Sequence, residues 1–308
     1  MRSLKGLLLY TEEDSRRNRR AIQLFQEAGR ALEMQVELVT DVKQAAYGDE
    51  RGLRGQNRED KQKQEWAEPE QKRRQYPDFV INRTRDWHLG EAFERQGIPV
   101  FNSSEVTRIC NDKAATLEIA ESLGIPVLPW VKGTDEAECV AFYRAIAGPM
   151  VAKICEGHGG TEVLWVDSEE ALHRVSETFR GRNWILQQAA AFPGKDLRIY
   201  LLGDRVVQAM LRTAEEGFKS NYCLGGRAEV YTCRETELEA AKKLTAHLQP
   251  DYVGVDFLFH ENGQMVLNEV EDAVGARMIY THTNIDIIRE YMEDIRGKLE
   301  KRKKYGMY

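Results

Sequence analysis

The order of strand-like and helix-like segments changes partway along this chain of 308 residues. Leu4–Tyr10 is an apolar run bounded by charge, apolar residues from Ile22 to Leu32 follow at helical spacing, and Val36–Val39 is a second apolar run. A strand, a helix and a strand in this order favour a parallel sheet covered by helices. Another strand pattern at Asp78–Arg83 continues the series. The sequence therefore predicts an α/β domain at the N-terminus.

In the second half of the chain the strand patterns come in pairs joined by short turns. Asp196–Leu202 and Arg205–Arg212 flank a Gly-Asp turn, and Val253–His260 and Gln264–Val270 flank a turn containing Asn-Gly. Such pairs are typical of β-hairpins. The hairpins predict a second kind of sheet, which differs from the parallel sheet expected near the N-terminus.

The segment 49–74 fits neither pattern, because 15 of its 26 residues are charged, seven acidic and eight basic. Its large apolar residues are Leu53 and Trp66. A mixed-charge segment without an apolar stripe cannot bury itself, so we interpret it as a solvated, mobile insertion. The alternative interpretation is a lid or a partner-binding arm.

The overall charge and the cysteine content restrict the classes of partner. A formal net charge of −6 argues against a dedicated nucleic-acid binder, because no large basic excess is present to neutralise phosphates. No apolar run approaches the roughly 20 residues that span a bilayer. The five cysteines are an odd number without Cys-x-x-Cys spacing, which favours a reducing cytoplasm over a disulfide framework or a zinc site. The sequence leaves open whether the protein forms a homo-oligomer.

A lysine followed by a glycine-rich turn predicts a phosphate site. Lys153 lies at the end of a strand pattern, and Gly157, Gly159 and Gly160 come in the turn after it. A glycine turn lets backbone N–H groups approach phosphate oxygens, and a nearby ammonium group offsets their charge. The spacing matches neither the P-loop nor the dinucleotide-binding fingerprint. The alternative is a plain hairpin turn, which the motif alone would favour.

Three carboxylates on the last predicted hairpin suggest a metal site. Asp256 lies on one strand, and Glu269 and Glu271 lie two residues apart on the other, so the pleat places these two glutamates on one face. Oxygen ligands of this kind suit Mg²⁺ completed by nucleotide phosphates. The same alternation predicts that Asn268 and Asp272 lie on the opposite face. The alternative is an ordinary solvated strand face, which the apolar neighbours disfavour.

A third group combines arginines with an aspartate on the first hairpin. Asp196 and Arg198 alternate on one strand, Arg212 ends the next, and Lys219 and Asn221 follow. Arginine suits the bidentate binding of planar anions. The alternative is a surface ion pair between Asp196 and Arg198.

The order and spacing of these groups resemble the ATP-grasp superfamily, and most closely the RimK-type carboxylate–amine ligases. The resemblance runs from about Asp78 to Ala276. It is carried by a series of short motifs in chain order: Gly97-Ile98-Pro99-Val100-Phe101-Asn102, Asn111-Asp112-Lys113, Leu123-Gly124-Ile125-Pro126, Pro149-Met150-Val151-Ala152-Lys153, Leu186-Gln187-Gln188, Gly194-Lys195-Asp196-Leu197-Arg198, Ala209-Met210-Leu211-Arg212, Phe218-Lys219-Ser220-Asn221, Gly254-Val255-Asp256 and Glu269-Val270-Glu271.

The resemblance implies an α+β ATP-grasp fold. A Rossmann-like pre-ATP-grasp α/β domain (1–110) would be followed by two α+β lobes that clasp ATP, a central subdomain (111–186) and a C-terminal subdomain (187–308).

The resemblance also implies a role for individual residues. Phosphate contacts are implied for Lys113 and Lys153, and the turn Gly157, Gly159, Gly160 and Thr161 would close over the phosphates. Gln187, Gln188 and Ala190 would lie along the adenine, and Lys195 and Asp196 near the ribose. Arg198 would be a further nucleotide-binding residue. Arg212 and Asn221 would act with Lys153 in catalysis, and Asp256, Glu269 and Glu271 would bind the metal.

Two positions depart from the family pattern. Glu271 stands where the usual third metal ligand is Asn, and Glu162 stands where a Gly usually precedes the valine after the glycine turn. The first change adds negative charge that alters metal number or affinity, and the second puts a side chain beside the closing loop.

The activity implied is an ATP- and Mg²⁺-dependent ligation of a carboxylate to an amine through an acyl-phosphate, giving an amide, ADP and phosphate. Two Mg²⁺ ions are expected, with Mn²⁺ as an alternative ion. The partners would be small-molecule or peptide carboxylates and amines, with no nucleic acid and no membrane. The alternatives are a regulatory ATP-binding module without ligase activity and a phosphotransferase that stops at a phosphorylated product.

Overall fold

A computed structural model describes residues 3–47, 76–158, 162–215 and 226–305. The charged segment 49–74 lies outside the described residues, so its interpretation stays a prediction. The chain divides into two compact units, Met1–Ser104 together with Ile288–Tyr308, and Glu105–Ile287. Among the described residues, none of the helices combines the length and the apolarity needed to cross a bilayer.

The elements up to residue 101 are, in chain order, β1 (Leu4–Leu9), α1 (Glu12–Arg17), α2 (Arg19–Ala31), β2 (Met34–Val39), α3 (Val42–Tyr47), β3 (Phe79–Asn82), α4 (Trp87–Glu94) and β4 (Val100–Phe101). They are followed by α5 (Ser104–Cys110), α6 (Lys113–Ser122), β5 (Trp130–Lys132), α7 (Glu136–Ile146), β6 (Met150–Ile154), β7 (Val163–Val166), α8 (Glu169–Thr178), β8 (Trp184–Gln188), β9 (Lys195–Leu202), β10 (Arg205–Thr213), β11 (Arg227–Tyr231), α9 (Glu235–Leu248), β12 (Tyr252–Phe259), β13 (Met265–Glu271), α10 (Arg277–His282) and α11 (Ile287–Tyr305).

The first unit is built on a parallel sheet with the strand order β2-β1-β3-β4. Every residue of β3 is buried, as expected for a strand inside such a sheet. Leu9 and Val80 pack with Leu89 and Phe93 of α4 to form part of its core. The parallel sheet predicted from the order of the segments is confirmed, and the finer description as Rossmann-like stays a prediction.

The last helix, α11, groups with the first unit. The ring of its Tyr291 packs edge-on against Phe25 of α2 at a centroid distance of 6.2 Å. Arg296 donates a hydrogen bond to the carbonyl oxygen of Leu32 at 2.7 Å. The structure thus groups α11 with the first unit, and the expected C-terminal subdomain at 187–308 stays a prediction. The division of the remainder into two lobes stays a prediction.

The second unit contains two antiparallel sheets. The large sheet has the order β11-β10-β9-β12-β13, and the small sheet has the order β5-β8-β6-β7. Helices α5, α6 and α9 pack on the large sheet, and α7 and α8 pack on the small one. Together with the parallel sheet of the first unit, this is the mixture of parallel and antiparallel structure that the sequence predicts.

Three helices of the second unit begin at side-chain caps. Asp112 accepts the N–H groups of Ala114 and Ala115, and Asp135 and Ser168 cap α7 and α8 in the same way. Such caps satisfy N–H groups that lack a partner in the first turn of a helix. The cap at Asp112 fixes where α6 starts and therefore where Lys113, one of the predicted site residues, lies.

Candidate active site

One pocket of the second unit brings together side chains from both of its sheets. Lys153 enters it from β6 of the small sheet, and Arg212 and Glu269 enter it from the large sheet. Nine of the predicted site residues line the pocket: Lys113, Lys153, Gly157, Gln188, Ala190, Lys195, Asp196, Arg212 and Glu269. Four described residues of the predicted set, Gln187, Arg198, Asp256 and Glu271, lie outside this lining.

Lys113 connects the start of α6 to the glycine turn. Its ammonium group donates a hydrogen bond to the carbonyl oxygen of Gly157 and lies 3.5 Å from Glu269 Oε2. The residue is 9% exposed, so these contacts take place largely away from bulk water. The structure thus places one cation between the glycine turn and the acidic strand β13.

Lys153 is buried in the middle of the pocket wall. Its Nζ donates to Gln187 Oε1 at 2.8 Å and to Asn268 Oδ1 at 2.7 Å. Burial lowers the pKa of Lys153 to about 8, Glu269 acts in the opposite direction, and Lys113 adds to the lowering. Both hydrogen-bond partners are neutral amides, so neither of them neutralises the positive charge of the ammonium group.

Strand register places two arginines directly opposite two aspartates. Arg212 lies opposite Asp196 in the β9–β10 pair, and Arg198 lies opposite Asp256 in the β9–β12 pair. Arg212 donates to both carboxylate oxygens of Asp196, at 2.5 and 2.6 Å, and also to Asp256 at 2.6 Å. The alternative from the sequence, a surface ion pair between Asp196 and Arg198, does not fit two residues that are 4% and 8% exposed.

The second arginine of this network, Arg198, binds two carboxylates at once. It donates to both oxygens of Asp256 at 2.7 Å, and its Nη1 lies 2.7 Å from Glu271 Oε2. Burial opposes ionisation of Asp256, but Arg198 and then Arg212 outweigh it, so the pKa of Asp256 is lowered. Asp256 is fully buried and carries its negative charge between two guanidinium groups.

The described residues do not, as arranged, form a metal-binding set. No group of three or more His, Cys, Asp or Glu side chains converges as metal ligands in the part of the chain that is described. Asp256 and Glu271 are bound by Arg198, and Glu269 pairs with Lys113. Carboxylates are suitable ligands for Mg²⁺, but here their oxygens face cationic side chains. The assignment of Asp256, Glu269 and Glu271 to a metal stays a prediction.

Asn268 lies on the pocket side of β13, so the prediction that it lies on the opposite face was wrong. Asp256 is paired with Glu269, but its neighbour Phe257 is paired with Leu267, so Asn268 is an extra residue in the strand. Such a β-bulge breaks the alternation of side chains. Asn268 and Glu269 consequently both line the pocket.

The stretch expected along the adenine is divided between two environments. Gln187 is 1% exposed and uses its side chain to hold Lys153, whereas Gln188 and Ala190 line the pocket. The N–H groups of Gln188 and Ala189 donate to the carbonyl oxygens of Pro129 and Pro149. Two backbone N–H groups of this stretch therefore already donate hydrogen bonds within the protein.

Several pocket residues were not identified from the sequence. Apolar walls come from Val151 and Ile154 of β6, Trp165 of β7 and Leu258 of β12. The position of Val151 two residues before Lys153 was the available signal, because both share one face of a strand. Glu162, which the sequence already marks as a departure from the family pattern, lines the pocket too and forms an ion pair with Arg182 at 2.5 Å.

A model of the RimK-like ATP-grasp domain matches residues 110–295 of the chain, which include the whole pocket. The chain belongs to the RimK-like ATP-grasp family.

Curated relatives of this RimK-like chain share about three residues in ten with it. A probable alpha-L-glutamate ligase of Parasynechococcus marenigrum is 30% identical over 218 residues, which cover 68% of this chain and 46% of the relative. A probable alpha-L-glutamate ligase of Methanococcoides burtonii is 32% identical over 224 residues, covering 70% of this chain and 73% of the relative. The chain spans about half the length of some of the relatives it matches.

Solved structures show the same fold at lower identity. The D-alanyl-alanine synthetase A of Vibrio cholerae superposes with a TM-score of 0.69 at 18% identity, covering 97% of this chain and 99% of that one. A likeness at this identity concerns the fold, and it confirms the ATP-grasp fold expected from the motifs.

Four residues of the predicted RimK-like site lie outside the described residues. Gly159, Gly160 and Thr161 belong to the glycine-rich motif predicted from the sequence, and Asn221 follows β10 in the sequence. Their roles stay predictions that rest on the resemblance.

Proposed function

We propose that this protein is an ATP-dependent ligase that joins a carboxylate to an amine and releases ADP and phosphate. The observation that carries the proposal is the pocket that gathers Lys113, Lys153, Arg212 and Glu269 within the segment matching the RimK-like domain. These two lysines and the arginine are each at most 9% exposed, and they suit a polyphosphate because they offset its charge largely away from bulk water. ATP-grasp ligases use ATP with a divalent metal ion, and the proposal includes both.

The proposed reaction has two displacements. A carboxylate oxygen of the acid attacks the γ-phosphorus of ATP, the bond from that phosphorus to the bridging oxygen breaks, and ADP leaves. The amine nitrogen then attacks the acyl carbon of the resulting acyl-phosphate, the bond from that carbon to the phosphate oxygen breaks, and the nitrogen loses a proton. Both steps need positioning and charge neutralisation more than a protein nucleophile.

The residues of the chain divide this work by their position. Lys113 and Lys153 would neutralise the nucleotide phosphates, and Arg212 would stabilise charge on the transferred phosphoryl group. Arg212 is held by Asp196 and Asp256, which fix its guanidinium group. A charged group that is held in place before the reaction loses little energy through reorganisation during the reaction.

The relatives named glutamate ligases indicate where a substrate search begins. We include L-glutamate as the first amine in the search, and free amino acids and peptides as the carboxylates. An amide product would have the summed mass of the acid and the amine less one water. A regulatory module would bind ATP without forming ADP, and a phosphotransferase would yield a stable phosphorylated product.

The first test is a screen of acid and amine pairs with Mg²⁺ and ATP, followed by phosphate release and product mass. We expect phosphate release that requires both substrates. Replacing Glu269 by Gln is expected to reduce it by at least about 100-fold, because the variant would lose the carboxylate that we assign to the divalent metal ion. Glu229→Gln, an exposed change on β11, is the matched control and leaves the rate unchanged. Full activity of Glu269→Gln would contradict the assignment of this pocket.

A second test uses pH. Lys153, with its pKa lowered to about 8, is charged at pH 7 and loses its proton as the pH rises past 8. If the charged form is the one that binds nucleotide, affinity falls above pH 8, by at most about tenfold per pH unit. Lys153→Arg keeps its charge throughout this range, so its affinity is expected to stay flat in a calorimetric titration from pH 7 to 9.5. A parallel fall in both proteins would exclude Lys153 as the titrating group.

A further inference from the structure

The β-bulge of β13 gives two consecutive side chains to the same pocket. Asp256 is paired with Glu269 and Phe257 with Leu267, which leaves Asn268 as the extra residue. Bulges are common beside active sites, where they redirect a side chain. Here each of the two residues meets one lysine, since Asn268 contacts Lys153 and Glu269 pairs with Lys113.

Asn268 and Gln187 together hold the ammonium group of Lys153 from two directions. Asn268 Oδ1 accepts from Lys153 Nζ at 2.7 Å, and Gln187 Oε1 accepts from the same nitrogen at 2.8 Å. The Nε2 of Gln187 donates to the carbonyl oxygen of Leu128 at 3.4 Å, which fixes the orientation of that amide. A lysine ammonium group has three N–H donors and accepts no hydrogen bond, so both amides must present their oxygens.

We propose that Asn268 is a positioning residue for Lys153. Asn268 and Gln187 each accept one N–H of the Lys153 ammonium group, which leaves its third N–H for a phosphate oxygen of the nucleotide. The inference rests on the proposed function in its assignment of the pocket to a nucleotide. It links the two sheets of the second unit, because Lys153 and Gln187 belong to the small sheet and Asn268 to the large one.

A neutral amide suits this position better than a carboxylate or an apolar side chain. The charged groups that act on Lys153 are Glu269 from β13, which favours its charged form, and Lys113 from α6, which disfavours it. An aspartate at 268 would add a negative charge in contact with the ammonium group and compete with a bound phosphate. A leucine would remove an acceptor from a buried cation.

We therefore expect an aspartate and a leucine at position 268 to shift the pH dependence of nucleotide affinity in opposite directions. A merely structural role of Asn268 would not produce opposite shifts. Asn268→Asp is expected to raise the pH at which nucleotide affinity falls, and Asn268→Leu to lower it, each by about one to two pH units. Asn268→Asp is also expected to weaken binding at pH 7 by about tenfold or more, because the added carboxylate repels phosphate. Asn262→Asp, the same change in the exposed turn of the same hairpin, is the control and leaves the profile unchanged.

The experiment is a calorimetric titration of the full chain with ADP from pH 6.5 to 9.5, with and without added Mg²⁺ and with neither acid nor amine present. The pH dependence of the modification of Lys153 by an amine-reactive reagent, read by mass spectrometry, gives the same pKa without any ligand. If Asn268→Leu does not fold, Asn268→Ser, which is too short to replace the amide oxygen, takes its place.

The inference is supported if the pH at which nucleotide affinity falls shifts in opposite directions in Asn268→Asp and Asn268→Leu and does not shift in the control. Displacements in the same direction, or profiles that match Asn262→Asp, overturn it. Because no amide needs to form, a failure of the ligase assay leaves this result readable. Conversely, if the protein forms an amide but the pH profiles of the Asn268 variants match that of the unmodified protein, the proposed function stands and the role of Asn268 is rejected.

Discussion

Replacing Arg212 by methionine is expected to lower the free energy of unfolding by about 3–5 kcal/mol, because it breaks a buried ion-pair network from one side. Arg212 is 3% exposed and donates to Asp196 and Asp256, which are 4% and 0% exposed. Without the guanidinium group, Asp196 loses its cross-strand partner, and Asp256 keeps Arg198 as its partner among the described residues. The measurement is a urea titration of both proteins at pH 7, with the midpoint and slope compared.

The large sheet also offers a matched control for this change. Arg227 of β11 pairs with Glu215 at 3.0 Å, and both side chains are largely exposed. Exposed pairs of this kind contribute about 0–1 kcal/mol. Arg227→Met is therefore expected to unfold at nearly the same urea concentration as the unmodified protein. Equal effects at the two positions would show that the network around Asp256 stabilises the fold no more than an exposed ion pair does.

Replacing Lys153 by methionine is expected to reduce nucleotide affinity and turnover by about 100- to 1000-fold. Methionine has a similar length and fills the buried space, but it offers no charge and no donor to a phosphate. The fold is expected to survive, since removing a buried ammonium group also removes the cost of its desolvation. Calorimetry with ADP gives the affinity, and thermal unfolding shows whether the protein is intact.

Lys132→Met provides the comparison for this loss of charge. Lys132 ends β5 of the same small sheet and pairs with Glu118 at 2.6 Å on an exposed surface. Its loss changes the net charge by the same amount outside the pocket. Weakened binding in both variants would indicate a general charge effect, whereas weakened binding in Lys153→Met alone would indicate a direct contact.

The hairpins could be predicted from the sequence because their pattern is local. Alternation and short turns place the strands around Gly203 and Gly263 within about one residue of their observed limits. Helix α7 was missed even though Asp135 caps it, since its apolar face is narrow and Cys139 is its one buried residue. Strands β5 and β11 are also short and partly exposed, so they carry little periodic signal.

The ion pairs within the site could not be predicted from the alternation of side chains along each strand. The sequence places Asp196 and Arg198 on one face of a strand, but only the register against β10 and β12 shows that each has a cross-strand partner. The position of Asn268 depended on a bulge, and a single extra residue reverses the face of every side chain beyond it. The placement of side chains along one strand could therefore be predicted, whereas their placement across strands, which depends on register, could not.

The network of Arg198, Arg212, Asp196 and Asp256 has a consequence for how this family can diverge. Each member is buried and bound to another member, so a change at one position passes through an intermediate with an unpaired interior charge. Such an intermediate is poorly stable and exposed to degradation. Replacements at these four positions are therefore expected to arise together, so that lineages inherit the quartet intact or exchange it as a whole.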